Sequence, residues 1–446
     1  MSAIAQKATD DLEIASQAGS GGTTPGEWKV VAFDNLFEFR NGVNADKKAY
    51  GSGIPFVNVL EVITNSHLRI TDIPGLVTLS AKAIDAYRLR RGDVLFNRTS
   101  ETQDEVGLTS VYLDDNTAVF GGFVIRGRPH GDQLDPVYAG YSLRSRLIRN
   151  QIIALGQGAI HANIGQIDLK KVTVPIPPLA EQRAIAAALS DVDALIGMLD
   201  TLIAKKRMLK LATMQQLLTG QSRLPGFDDT REFHETQVGK VPSDWGVKVF
   251  ADLCLKIQDG THFSPKVGGN DYLYVTSRNI GYGFIDLADV DRIDAAQHRA
   301  IYSRCDVQKG DLLLTKDGAN TGNAAINTIS DEFSLLSSVA FLRFKSACDP
   351  RFFLQYVLSR TGQQRLKDLM SGNAITRLTL QKIRSFSVPV PGFPEQVAIA
   401  DILCDMDSEI EALERRRDKT KAIKQGMMQA LLTGRVRLVK PEAVGA

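Results

Sequence analysis

The sequence predicts a mixed α/β chain of the α+β kind, with two globular domains alternating with two long coiled-coil helices in an internal pseudo-two-fold duplication. Three observations carry this. The chain has 446 residues, more than one ordinary domain holds. Residues 174–224 align without a gap to residues 388–438, with 23 of 51 positions identical. Both copies space their apolar residues three and four apart, whereas the intervening sequence consists of short β-rich runs and turns.

The elements follow in order. Residues 1–24 are rich in Ser, Gly, Thr and Ala, carry acidic residues early and lack an apolar core, so a disordered lead is expected rather than a signal peptide. The first domain is assigned to residues 25–173, from PGEW at 25–28 through strands such as IPFVNV, GDVLFN and GFVIRG to one helix starting near Asp135. A spacer helix at 174–224 and a linker at 225–239 follow. The second domain, residues 240–387, opens on PSDW at 242–245 and places its helix near Asp349; the second spacer helix (388–440) and a tail (441–446) complete the chain.

Each spacer segment opens on prolines, VPIPPLAEQ or VPVPGFPEQ, where a helix cannot yet run, and puts Glu181 or Glu395 in the first turn, at the positive helix end. Each closes on Leu-Thr-Gly, a glycine suited to the left-handed position after a helix. About 40 residues lie between, near 60 Å of helix. The apolar stripe is read as Ile185, Ala188, Val192, Leu195, Leu199, Leu202 and Leu209 in the first copy. In the second it is Ile399, Leu403, Met406, Ile410, Leu413, Met427 and Leu431. Two matching narrow stripes in one chain most simply pack on each other.

Composition excludes several classes. A net charge of +2 is no nucleic-acid signature by itself, although basic surface can be concentrated on one face. Four scattered cysteines without a CxxC pair argue against a zinc ribbon or disulfide framework and suit a reducing compartment. No run of apolar residues is long enough to span a membrane, so a cytoplasmic protein is expected. There is no phosphate loop, dinucleotide fingerprint, nucleophile elbow or zinc-deaminase motif. The six histidines lack ligand spacing. Asp191/Asp193 and Asp405/Asp407 stand at i,i+2 on a helix and so face different sides; solvation or salt bridging suits them better than a metal. The chain reads as a binder without catalytic or metal residues.

Its binding candidates lie on polar loops after strands. NRTSETQ supplies Asn97, Arg98, Thr99 and Ser100, and TKDGANTGN supplies Lys316, Asn320 and Asn323. Just before each proline breaker stands a second polar loop, with His161 and Asn163 in the first copy and Thr376 and Arg377 in the second. Such side chains read base edges or hold phosphates. Arg40, Lys47 and Arg278 are weaker phosphate candidates. An alternative is a coiled-coil adaptor without DNA readout, which would lack the salt-dependent DNA affinity that phosphate contacts impose.

Given twice, P-x-x-W, G-D-[VL]-L, V-P-x-P with E-Q, and L-L-T-G resemble the specificity (S) subunit of type I restriction–modification systems, over essentially the whole length from residue 25 to about 440. The resemblance implies two target-recognition domains held apart by antiparallel spacer helices. Each would read half of an asymmetric, bipartite double-stranded DNA site. It also implies docking of two methyltransferase (M) subunits and of restriction/translocase (R) subunits, with S-adenosylmethionine, ATP and Mg²⁺ used by those partners and no cofactor in this chain. Glu181, Gln182, Leu195, Leu199, Leu202, Glu395, Gln396, Met406, Ile410 and Leu413 are then the candidates on the partner-binding and spacer helices.

Overall fold

The computed structural model describes residues 25, 27–156, 162–227, 232–370 and 377–439. The lead 1–24, His161 and Thr376 lie outside the described residues. The chain divides into two compact units. One holds the first domain with the long helices' residues up to Leu199 and from Arg416; the other is Asp200–Arg415. Each unit thus takes the start of one long helix and the end of the other.

In the first unit the main sheet has five strands in the order Phe37–Asn41, Val124–Pro129, Val94–Asn97, Thr109–Tyr112, His67–Leu68. All neighbours run antiparallel except the last pair. The central strands Val94–Asn97 and Thr109–Tyr112 are buried along their length, the polar Asn97, Thr109 and Ser110 included. The second unit repeats the frame with four strands: Cys254–Asp259, Val339–Phe344, Leu312–Thr315, Ala324–Ile326. Each domain starts on a strand that pairs antiparallel with the strand entering its long helix: Lys29–Ala32 with Thr173–Ile176, and Gly246–Val249 with Ser387–Val390.

The single helix expected in each domain is two. In the first, Pro136–Ser142 and Arg146–Leu155 are separated by a break that ends on extended Ser145. In the second, Pro350–Leu358 and Arg360–Met370 are separated at Ser359, whose hydroxyl accepts the Gly362 N–H at 3.0 Å. At Ser359 the serine side chain takes an orphan helix N–H and so favours the break.

The long helices are Leu179–Leu217 and Phe393–Leu431, 39 residues each. Within the second unit Lys206 pairs with Glu409 at 2.7 Å and Lys210 with Asp407, so numbering rises along one helix as it falls along the other: the helices are antiparallel. In the first unit Lys424 meets Asp193 at 2.6 Å, the counterpart of Lys210–Asp407 in the duplicated sequence. One aspartate of each pair of helix aspartates therefore sits in an ion pair.

The seam runs one residue away from part of the expected stripe. Ile185, Leu189, Leu199 and Ile203 are buried in the first helix, while Leu202 is 39% exposed and Leu209 52%. Leu189 and Ile203 replace Ala188 and Leu202, and with the half-buried Ile196 in place of Leu195 the spacing from Ile185 alternates four and three. In the second helix Ile399, Leu403 and Ile410 are buried, with Met406 and Leu413 half-buried. Further along, the first helix fills seam positions with Lys206 and Lys210. These bury their stems and keep their ammonium groups on the other helix's carboxylates.

A clamp at each end ties helix to domain, with the same chemistry in both copies. The Trp28 indole N–H donates to Glu181 at 3.0 Å, and Arg437 holds both oxygens of that carboxylate. Trp245 donates to Glu395 at 3.0 Å, and Arg223 grips it at 2.6 and 2.9 Å. Both glutamates are buried, which the bidentate guanidinium makes tolerable. The neighbouring glutamines do different work. Gln182 accepts the Asp135 N–H at 2.8 Å and Gln396 the Asp349 N–H at 3.0 Å, and each donates to the proline carbonyl five residues before it. Asp135 and Asp349 in turn cap the first domain helices. Gly220 and Gly434, at φ +68° and +71°, end the long helices where a Cβ would strike the Pro242 or Pro25 ring.

Candidate nucleic-acid interface

The two polar loops of each domain come together. In the first, the Ile164 N–H donates to the Arg98 carbonyl at 3.0 Å, and the short strands Thr99–Ser100 and Ala162–Asn163 pair. In the second, the Leu378 N–H donates to the Lys316 carbonyl, also at 3.0 Å. Sheet register aligns the sites: Ile125 pairs Asn41 and Val124 pairs Asn97, as Ala340 pairs Asp259 and Val339 pairs Thr315. Asn41 therefore corresponds to Asp259, Arg98 to Lys316, Thr99 to Asp317 and Asn163 to Arg377.

The backbone repeats; the side chains do not. In the first domain Thr99 donates to the Asn163 side chain at 2.6 Å and Gln166 to Asn41 at 2.9 Å, neutral hydrogen bonds throughout. Arg98 stands exposed beside them, makes no ion pair among the described residues, and lines a cleft of about 390 Å³ with Asn41 and Gln166. In the second domain the same positions form a charged chain. Lys316, 2% exposed, lies 3.2 Å from both Asp259 and Asp317, and Asp317 lies 3.1 Å from Arg377 Nε. His262 reaches Asp259 at 3.4 Å from the other side.

Several candidates do not face solvent. Asn97 is fully buried and donates to the Glu105 carbonyl, Ser100 is buried and donates to Glu105, and Lys316 is buried between carboxylates. In all three the side chain turns inward to an acceptor, the Glu105 carbonyl, the Glu105 carboxylate, or the Asp259 and Asp317 carboxylates, and composition does not show which polar side chain does so. Asn320 and Asn323 donate to the Ser277 and Ile280 carbonyls and so hold the loop. Arg278 is exposed and paired with Asp291 at 2.6 Å, Arg40 lies over the Tyr87 ring, and Lys47 is exposed. Sequence reasoning did not single out Asn41, Gln166, Asp259 or Asp317; the recurrence of polar residues at equivalent strand ends was the available signal.

On the helices, Glu181, Gln182, Glu395 and Gln396 are buried inside the clamps and cannot present themselves to a partner protein. Leu199 and Ile410 are buried and Leu195, Met406 and Leu413 half-buried, whereas Leu202 is exposed. Among the described residues no group of His, Cys, Asp and Glu could hold a metal, and no helix is long and apolar enough to cross a membrane. Burial pushes the Cys254 and Cys305 thiols up to about 12, and all four cysteines are unpaired.

A family model described as the type I restriction modification DNA specificity domain matches residues 25–205 and again 242–422. The chain is 25% identical to the type I restriction enzyme MjaVIII specificity subunit of Methanocaldococcus jannaschii, over 93% of this chain and 94% of that one. It is 22% identical to the EcoKI specificity subunit of Escherichia coli, over 67% and 63%. The crystal structure of a type I restriction–modification S subunit from M. genitalium superposes with a TM-score of 0.56 at 16% identity, covering 93% of this chain and 98% of that one. With the duplicated domains and paired long helices, these likenesses place the chain in the type I restriction–modification DNA specificity domain family, as a specificity subunit carrying that domain twice.

Proposed function

We propose that the chain reads an asymmetric, bipartite site on double-stranded DNA, one half-site per domain, for a type I complex whose partners do the chemistry. One observation carries this: equivalent polar junctions on one backbone frame hold neutral hydrogen bonds beside an exposed arginine in one domain and a chain of ion pairs in the other. Two sites alike in scaffold and unlike in side chains would read two different short sequences. A reader on one face of a duplex would place its half-sites about one helical turn, ~34 Å, apart, with unread base pairs between.

Two methyltransferase subunits would dock on the duplicated helices, and restriction/translocase subunits would join them. In the second unit the first helix leaves Met208, Leu209 and Leu211 exposed, apolar surface available to such a partner. S-adenosylmethionine, ATP and Mg²⁺ would belong to those partners.

Methylation-sensitive sequencing of the host genome, with the gene present and deleted, tests the reading. A split adenine-methylated motif should vanish on deletion. If no motif changes while the methyltransferase is expressed, the chain does not direct methylation.

A further inference from the structure

The two junctions differ in where their accessible cation sits. In the first domain it is Arg98, on the loop after the strand: exposed, beside the Asn41–Gln166 hydrogen bond, with no carboxylate holding it among the described residues. In the second domain the equivalent Lys316 has been drawn inward. Asp259 replaces Asn41 and Asp317 replaces Thr99, and the Lys316 ammonium lies 3.2 Å from each carboxylate at 2% exposure. Pulling Lys316 out toward a ligand would strand Asp259, itself buried, so it does not serve as a reader. The charge reaches the surface one step further on. Asp317 presents its other oxygen to Arg377 Nε at 3.1 Å, and the Arg377 side chain is 46% exposed. A guanidinium held through Nε keeps its terminal nitrogens for a base edge, and an arginine fork matches O6 and N7 of guanine in the major groove.

We infer that the base-reading cation sits on opposite loops of the two domains, Arg98 on the strand-following loop of the first and Arg377 on the pre-helix loop of the second, each facing a guanine. Lys316 is a positioning residue, acting through Asp317 on Arg377. This inference rests on the DNA-reading function proposed above.

The full chain is expressed with its methyltransferase partner in a host lacking the chromosomal copy, and adenine methylation is mapped for wild type, Arg98→Ala, Arg377→Ala and Asp317→Asn. Arg98→Ala should relax one guanine position in one half-site, with roughly ten- to hundredfold lost discrimination, and leave the other half unchanged. Arg377→Ala should do the same in the opposite half. Asp317→Asn should relax the Arg377 position to a smaller degree. Arg98→Lys and Arg377→Lys keep the charge and lose the fork, so they should relax the same positions and guard against a folding defect in the alanine variants. Retained motifs overturn the assignment, whether methylation stays complete or falls uniformly, since a phosphate contact or a merely structural residue would lower all sites alike. Absence of any split motif in the wild type would instead remove the DNA-reading function itself.

Discussion

The clamps and the polar junctions are both duplicated, yet they have diverged to opposite extents. At the clamp each copy keeps Trp, Glu, Arg, Gln, Asp and Gly in equivalent places with hydrogen bonds of nearly the same length. At the junction every polar position compared has changed: Asn41 to Asp259, Arg98 to Lys316, Thr99 to Asp317, Asn163 to Arg377. The clamp closes a core that must close identically twice. The junction is free of that demand, because a loop tip can change its side chains without disturbing the sheet that carries it.

The clamp comparison is broken most easily by removing its carboxylates. Glu181→Ala and Glu395→Ala each leave a buried indole N–H without its acceptor and reduce Arg437 to Glu27 and Arg223 to Asp244, and each should cost about 1.5–3 kcal/mol in urea unfolding. Local hydrogen exchange should rise in Lys29–Ala32 for the first variant and Gly246–Val249 for the second. A cost below about 1 kcal/mol in either copy would show that the two clamps are not equivalent.

A smaller asymmetry comes from His67, in the first unit alone. Burial is the main cause holding its imidazole below the ordinary 6.5, and its Nε2 contacts the Val137 carbonyl at 2.9 Å. The folded state therefore resists a proton that the unfolded chain accepts near 6.5. The associated stability is complete above that pH and declines below it. Denaturant midpoints at pH 7.5 and 5.5 should fall for wild type and fall less for His67→Asn. Equal losses would remove the histidine as the cause.

The smallest effect belongs to the seam. Asp193→Asn and Asp407→Asn weaken the pairs with Lys424 and Lys210, whose carboxylates are 38% and 49% exposed, so each should change stability by less than about 1 kcal/mol. A cost approaching that of the clamp variants would mean that the seam, too, is fixed by buried charge.

The long helices were legible in the sequence because their punctuation is local: prolines before, glycine after, apolar residues between. Their seam was only partly legible. Leu195 and Ile196, and Leu202 and Ile203, offer neighbouring stripes of equal hydrophobicity; packing buries Ile203 and exposes Leu202, and leaves Leu195 and Ile196 alike half-buried. The E-Q pair was read as a helix-end charge because its partners Trp28 and Arg437 lie 153 and 256 positions away. Of the site, the loops were legible from their composition. The inward turn of Asn97 and Lys316 was not, since it depends on acceptors at Glu105 and Asp259 that belong to other elements.

The first domain's clamp has a temporal side. Its core includes Leu431 and Leu432, and its buried glutamate is neutralised by Arg437, which also reaches Glu27 across 410 positions of sequence. The second domain's counterparts, Leu217, Leu218 and Arg223, precede it in the chain. During translation the second domain can therefore seal as soon as its own strands and the start of its following helix leave the ribosome. The first, although made earlier, must wait until residues 431–437 have been made. A stop codon just before residue 431 would thus be felt first in the domain made before the second one.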